Sequence, residues 1–285
     1  MRHLHTWLGR ATGAALALTM AAHAAQAACE PARVAAKYPA VAGHTIKIGQ
    51  DGESPPFSFR DPANFDHLIG LDADTARAVF ACAGVPVTFK TGAWSGLIPA
   101  AMSSQIDVMW DTLLYTPERA KRLDFVYYMK SATGIIVAKG NPKNIHSFAD
   151  ICGLRGTANL GTTQEAMLRD ADKACTAAGK PSVEIALTPD MPGGLRQVQN
   201  DRADLFPLNK FVGDTMVSRF PNVEMGFTIV TGAKIAAATA KGNPDLVRLI
   251  EDGLSTLEEN GELRRIYDRY GVDYDLVVKP EVLTQ

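Results

Sequence analysis

Apolar positions along the chain follow two alternating rhythms. Short β-rich runs over 46–49, 85–89 and 107–110 are separated by stretches with helical spacing. Over 71–83 the residues Ala76, Val79, Phe80 and Ala83 share one face, and 97–103 reads as a shorter helix. Thr116-Pro117-Glu118-Arg119 opens another helix, with Thr as N-cap, Pro at the first position and an acid in the first turn. The second half repeats the alternation: strand 156–160, helix 163–177, strand 183–187, helix 194–200, strand 203–208. A last helix runs from Pro244 to about Tyr270, with Leu246, Leu249, Ile250, Leu254, Leu257, Leu263 and Ile266 on its apolar side. Alternation of this kind predicts an α/β fold.

One near-duplication bears on domain organisation. A strand-like run over 135–138 and another over 235–240 both end in Ala-Lys-Gly-Asn-Pro, at 138–142 and 240–244. The flanks differ, so this is no internal repeat. Two similar strand exits about a hundred residues apart fit a chain that leaves one lobe and later returns to it. The expected division is a first lobe from 28–136 completed by 233–285, and a second, continuous lobe over 137–232. Two strands joining two lobes make a hinge with a cleft between, where small ligands are usually held.

The N-terminus reads differently. Residues 1–10 carry Arg2 and Arg10 and no acid, an apolar run follows over 11–22, and Ala25-Gln26-Ala27 is a small-x-small cleavage pattern. That order predicts a Sec-type signal peptide over 1–27. The apolar run is shorter than the roughly 20 residues that span a bilayer. A lipid anchor on Cys29 calls for a Leu-like residue three positions earlier, where Gln26 stands. Export to the periplasm as a soluble, monomeric protein is the expectation. Without Arg2 and Arg10 the basic residues number 27, against 31 acidic ones. This mild negative balance argues against nucleic acid or anionic membranes as partners. In an oxidising compartment the four cysteines predict two disulfides. Cys29–Cys82 and Cys152–Cys175 are the pairings that stay within one lobe each. No CxxC occurs, and His44, His67 and His146 are distant in sequence from the cysteines, so neither a metal nor another cofactor is expected.

Seven short segments, in order, resemble the family 3 solute-binding proteins of polar amino acid ABC transporters. They are Ile48 to Phe59 (IGQDGESPPFSF), Gly70 to Asp74 (GLDAD), Trp94 to Pro99 (WSGLIP), Tyr115 to Phe125, Leu160 to Glu165 (LGTTQE), Arg202-Ala203-Asp204 and Gly261 to Tyr270. Each is weak alone, and together they span nearly the whole chain after residue 27. The resemblance implies the two-lobed periplasmic-binding-protein-like type II fold. It also implies a small carboxylate ligand, an amino acid in most relatives, and an ABC permease as partner.

The resemblance places Arg119 on the ligand carboxylate, where a guanidinium offers two parallel N–H donors. Thr162 and Thr163 form the expected second contact to the same carboxylate from the other lobe, Thr163 being the residue the resemblance places on it. Thr162-Thr163-Gln164-Glu165 fits a capping box, and a helix start presents free N–H groups to an anion. Asp51 is the expected partner of a ligand ammonium, and Trp94 of its side chain. Asp111 and Thr112 lie on a segment that lines the same pocket, Thr112 being the expected contact. Three positions depart from the pattern. Ser54 stands where an aromatic residue is common, Leu114 where a small hydroxyl residue is usual, and Asn209 where an acid normally holds the ammonium. Asn209 brings no charge, so Asp51, Glu53 or Asp111 supplies it, or the ligand has no ammonium. Two other functions use this fold: a cyclohexadienyl dehydratase, for which Glu53 or Asp111 would be the general acid, and a partner module of quinoprotein dehydrogenases. No nucleophile–base pair or Gly-rich phosphate loop supports an enzyme.

Overall fold

The computed structural model describes residues 28–284, so the expected signal peptide lies outside the described residues. Two long antiparallel strands, Leu123–Ala138 and Val223–Ala240, run the length of the molecule side by side. Ala138 pairs with Val223 and Ala240 with Leu123, so the two Ala-Lys-Gly-Asn-Pro exits leave from opposite ends of the pair. Their apolar runs, Ile135 to Val137 and Ile235 to Ala238, are buried on both faces, as expected of central strands.

Each end of this pair carries its own group of strands. At one end Val223–Ala240 pairs with Val108–Met109, followed by Ile46–Gln50 and Val87–Thr91 in parallel. At the other end Leu123–Ala138 pairs with Leu205–Asn209, followed by Arg155–Asn159 and Glu184–Thr188 in parallel. The first long strand exchanges partners midway. Its residues Phe125 to Met129 pair with the C-terminal strand Val277–Leu283, and Thr133 to Val137 pair with Leu205–Asn209. The expected boundary at 136/137 therefore falls inside the second run. Register shifts in the second long strand lie opposite this exchange, between Ile229 and Ala233. Three residues of the second strand stand there opposite one of the first, a local break in the ladder between the two strand groups.

Helices cover the sheet through their apolar faces. Leu71–Cys82 buries Ala76, Val79 and Phe80 against Pro244–Glu259, which buries Leu246, Leu249, Ile250, Leu254 and Leu257. The two helices meet at Gly253, where a Cβ would come within 2.7 Å of Val79 Cγ1. The single C-terminal helix expected from 244 to 270 is two. Gly261 takes a left-handed φ of 77° and separates Pro244–Glu259 from Glu262–Tyr270. The apolar spacing carries through the break, because Leu263 and Ile266 return to the same core.

Three further elements are absent from the periodicity: the hairpin strands Ser58–Asp61 and Asn64–Ile69, the helix Lys210–Arg219, and the strand Val277–Leu283. The C-terminal strand contains Pro280, tolerated because it is an edge strand with a register shift beside that residue. Disulfides join Cys29 to Cys82 and Cys152 to Cys175, as expected from the lobe division. Asp204, in the matched Arg202-Ala203-Asp204 segment, accepts from the Arg155 backbone and guanidinium, both at 2.8 Å, and fixes the start of Arg155–Asn159. Among the described residues no helix is long and apolar enough to cross a membrane.

Candidate functional site

A cleft opens where the two strand groups face each other across the long pair. It holds about 550 Å³ of empty space, the open mouth included. Six of the eight expected contacts line it: Trp94, Thr112, Arg119, Thr162, Thr163 and Asn209. Ser54 and Leu114 line it as well, together with Asn159, Gln164, Met191 and the run Phe206 to Asn209.

Arg119 reaches the cleft because Thr116 caps its helix, with Oγ1 accepting from Arg119 N at 3.2 Å. Pro117 at the first helical position sets the turn direction. The guanidinium donates from Nη1 to the Leu114 carbonyl on its own side, and from Nη2 to the Gly161 carbonyl across the cleft at 2.8 Å. Its Cζ lies 5.7 Å from the centre of the Trp94 ring. Among the described residues it makes no ion pair, and burial lowers its pKa to about 10. It stays charged at neutral pH and has carbonyl dipoles, not a carboxylate, to meet it.

The helix Thr163–Ala177 starts opposite. Its first N–H groups have no acceptor inside the helix, and Thr162 and Thr163 at its start line the same cleft as Arg119. Thr162 Oγ1 accepts from Glu165 N at 3.1 Å, as the capping box predicts. Glu165 reaches back one residue further than expected, to Gly161 N at 2.8 Å, because Thr162 N is held by the Asn159 carbonyl at 3.2 Å. Thr163 Oγ1 donates to Gln164 Oε1 at 3.1 Å. Guanidinium and helix start thus face one gap from opposite lobes.

Asp51 and Asp111 behave differently from the expectation. Neither carboxylate lines the cleft. Asp51 is buried and accepts from Glu53 N at 2.8 Å and Ser54 Oγ at 2.6 Å. Asp111 is fully buried and accepts from Asp51 N at 2.9 Å, while its other oxygen has no hydrogen-bond partner among the described residues. A third carboxylate, missed in the sequence, completes this cluster. Asp72 accepts from Thr112 N at 2.7 Å and from Tyr128 Oη at 2.6 Å. It pins Thr112, a β-branched residue at φ 48°, in a conformation that costs energy and is kept only where the surroundings enforce it. Asp72 lies in the matched Gly70 to Asp74 segment, and that match was the available signal.

Asn209 borders the cleft with its acceptor occupied. Oδ1 accepts from Phe211 N at 2.9 Å and Val212 N at 3.4 Å, capping the helix Lys210–Arg219, and Nδ2 donates to Ser131 Oγ at 3.1 Å. A ligand ammonium donating to Oδ1 would have to compete with that cap. Pro207, beside it, has no N–H for the neighbouring strand, and pairing there stops after Leu205 and Gly156. Glu53 is exposed at the rim, and its pKa is raised by burial and by Asp190 across the cleft. Asp190 caps the helix Met191–Gln199, accepting from Gly193 N at 2.8 Å.

Comparisons with known proteins bear on the fold and the family. The L-cystine-binding protein TcyJ of Escherichia coli (strain K12) is 25% identical over 236 residues, 80% of this chain and 84% of that protein. Among solved structures, an ancestral arginine-binding protein bound to arginine superposes with a TM-score of 0.72 at 29% identity, over 79% of this chain and 97% of that one. The ancestral amino acid-binding protein AncCDT-1, a precursor of cyclohexadienyl dehydratase, superposes with a TM-score of 0.69 at 27% identity, over 79% of this chain and 95% of that one. The profile of the bacterial extracellular solute-binding proteins, family 3, matches residues 46–273, and the chain belongs to that family.

Proposed function

We propose that the protein is the periplasmic solute-binding component of an ABC importer, holding an amino acid or similar small carboxylate in the cleft between its lobes. The observation that carries this is Arg119, a guanidinium half-buried in the cleft without an acid beside it, facing the start of Thr163–Ala177. A carboxylate there would accept from the guanidinium of one lobe and the helix start of the other. Such a ligand makes contacts in the closed form that the open form lacks, which is the condition for a ligand to close a hinge. The lobes are those expected from the sequence, with the first crossing moved to the partner exchange between Met129 and Thr133; residues 1–27 are the export signal. A permease recognises the closed monomer. The dehydratase alternative is less well supported, because Glu53 and Asp111, the acids it would need, do not line the cleft. The presence of Arg119 and Thr163 in the cleft lining speaks against a partner module whose pocket is filled by its own side chains.

A thermal-shift and calorimetric screen of amino acids and small carboxylates tests this. A true ligand at 100 times its dissociation constant is expected to stabilise the protein by about 2.7 kcal/mol. Thr163→Val is expected to weaken that ligand about tenfold by removing one hydrogen bond to a charged group. No shift with any carboxylate would refute the proposal.

A further inference from the structure

The cleft has one charge and it is positive. Arg119 lines it, and no Asp or Glu does. The acids nearby are turned elsewhere. Asp51 and Asp111 hydrogen-bond the backbone beneath the cleft floor, Asp190 caps a helix, and Glu53 is at the exposed rim. Each neutral amide oxygen already accepts a hydrogen bond within the protein. Asn209 Oδ1 caps the helix Lys210–Arg219, and Gln164 Oε1 accepts from Thr163 Oγ1. Asn159, turned so that its oxygen accepts from Met191 N at 2.9 Å and its nitrogen donates to the Asp190 carbonyl at 3.0 Å, is engaged at both ends of its amide. What remains around the gap is the Thr112 hydroxyl, the oxygens of Ser54 and Thr163, whose protons go to Asp51 and Gln164, and an apolar wall of Trp94, Met191, Phe206, Leu208 and Val212.

An α-amino acid would bring its carboxylate to Arg119 and its ammonium to a surface with no counter-charge. The carboxylate and guanidinium would cancel, and the ammonium would be left desolvated and unpaired, a costly arrangement. A carboxylate carrying oxygen in place of the ammonium leaves the cleft neutral, and the Thr112 hydroxyl can donate to that oxygen. We infer that the preferred ligand is a small monocarboxylate without an ammonium group, of the 2-oxo or 2-hydroxy acid class, with an apolar body. This rests on the carboxylate-binding reading above and narrows it.

Isothermal titration with side-chain-matched sets tests it: leucine against 4-methyl-2-oxopentanoate and 2-hydroxy-4-methylpentanoate, phenylalanine against phenylpyruvate and phenyllactate, alanine against pyruvate and lactate. In the tightest set the oxo or hydroxy acid is expected to bind about tenfold or more tightly than the amino acid, the difference between a charged group paired and unpaired. Asn209→Asp puts a carboxylate at the cleft edge and keeps a competent N-cap, so the fold is retained. In that variant the ratio is expected to move about tenfold toward the amino acid. An amino acid binding as tightly as its matched acids, or a ratio unmoved by N209D, overturns the inference and leaves the carboxylate reading standing. Binding by none of the carboxylates overturns both.

Discussion

Arg119→Ala is expected to weaken carboxylate binding by about two to three orders of magnitude and to leave the empty protein at least as stable as before. The first half follows from geometry. A buried charged hydrogen-bonding partner is worth about 2–5 kcal/mol in a complex when truncated. Here the same group also offers two donors at a spacing that matches a carboxylate. The second half follows from what the guanidinium lacks. It meets two carbonyls and no acid, and its own pKa is pulled down to about 10 by burial. A buried cation without a counter-ion opposes folding, so its removal should not lower the melting temperature. Arg119→Lys separates charge from shape. It keeps the charge and loses the fork, and a loss of about 10–100-fold is expected. Calorimetric titration gives the affinities, and scanning calorimetry of the ligand-free variants gives the stability. A clear drop in melting temperature with affinity unchanged would make Arg119 a structural residue and remove the basis of the proposed function.

Much of this arrangement was legible in the sequence, because element starts carry their own chemistry. Thr162 and Thr116 each announce a helix through a cap, and each cap is seen in the structure. Arg119 and Thr163 stand in those first turns, so placing the helices placed the two cleft residues. Strand ends were less informative. Asp51 and Asp111 follow the strands Ile46–Gln50 and Val108–Met109, where the alternation of faces has lapsed into a turn. Their side chains turn to backbone N–H groups that no pattern in the sequence exposes. Asp72 was hidden for another reason. An acid in the first turn of a helix reads as a complement to the helix dipole, and only the packing shows it fully buried against Tyr128. Phe206 and Leu208 read as ordinary core residues of a strand, yet they border the cleft. The helix Lys210–Arg219 depends on Asn209 as its cap, and a lone Asn after a strand is as compatible with a turn as with a helix start.

The buried acids beneath the cleft should govern how stability responds to pH. Burial raises the pKa of Asp51 to about 6 and that of Asp72 to about 7, and it raises Asp111 well above the usual carboxylate range, with Asp51 and Asp72 adding to the push. In the unfolded chain these groups titrate near about 3.9. The folded protein therefore holds their protons more tightly. The stability they allow is fully present below the unfolded value and is lost as pH rises through the folded ones. Glu53 and Glu251, both raised by burial, act in the same direction. Asp204 acts oppositely: burial pushes it up, but hydrogen bonds from Arg155 outweigh that and hold it low, so its effect falls below about pH 4. Between pH 5 and 8 the raised group dominates, and the melting temperature is expected to fall by roughly 5–10 °C across that range. Asp72→Asn is the decisive variant. An amide of the same shape accepts from Thr112 N with its oxygen and donates to Tyr128 Oη with its nitrogen, so both contacts survive while the charge does not. The variant is expected to melt higher than the parent at pH 8 by several degrees, to match it at about pH 4, and to bind ligand unchanged because Thr112 stays pinned. A melting temperature that climbs from pH 5 to 8, or a slope that D72N leaves untouched, would mean that these carboxylates are ionised in the folded protein and that the cleft floor is stabilised by charge where burial predicts neutrality.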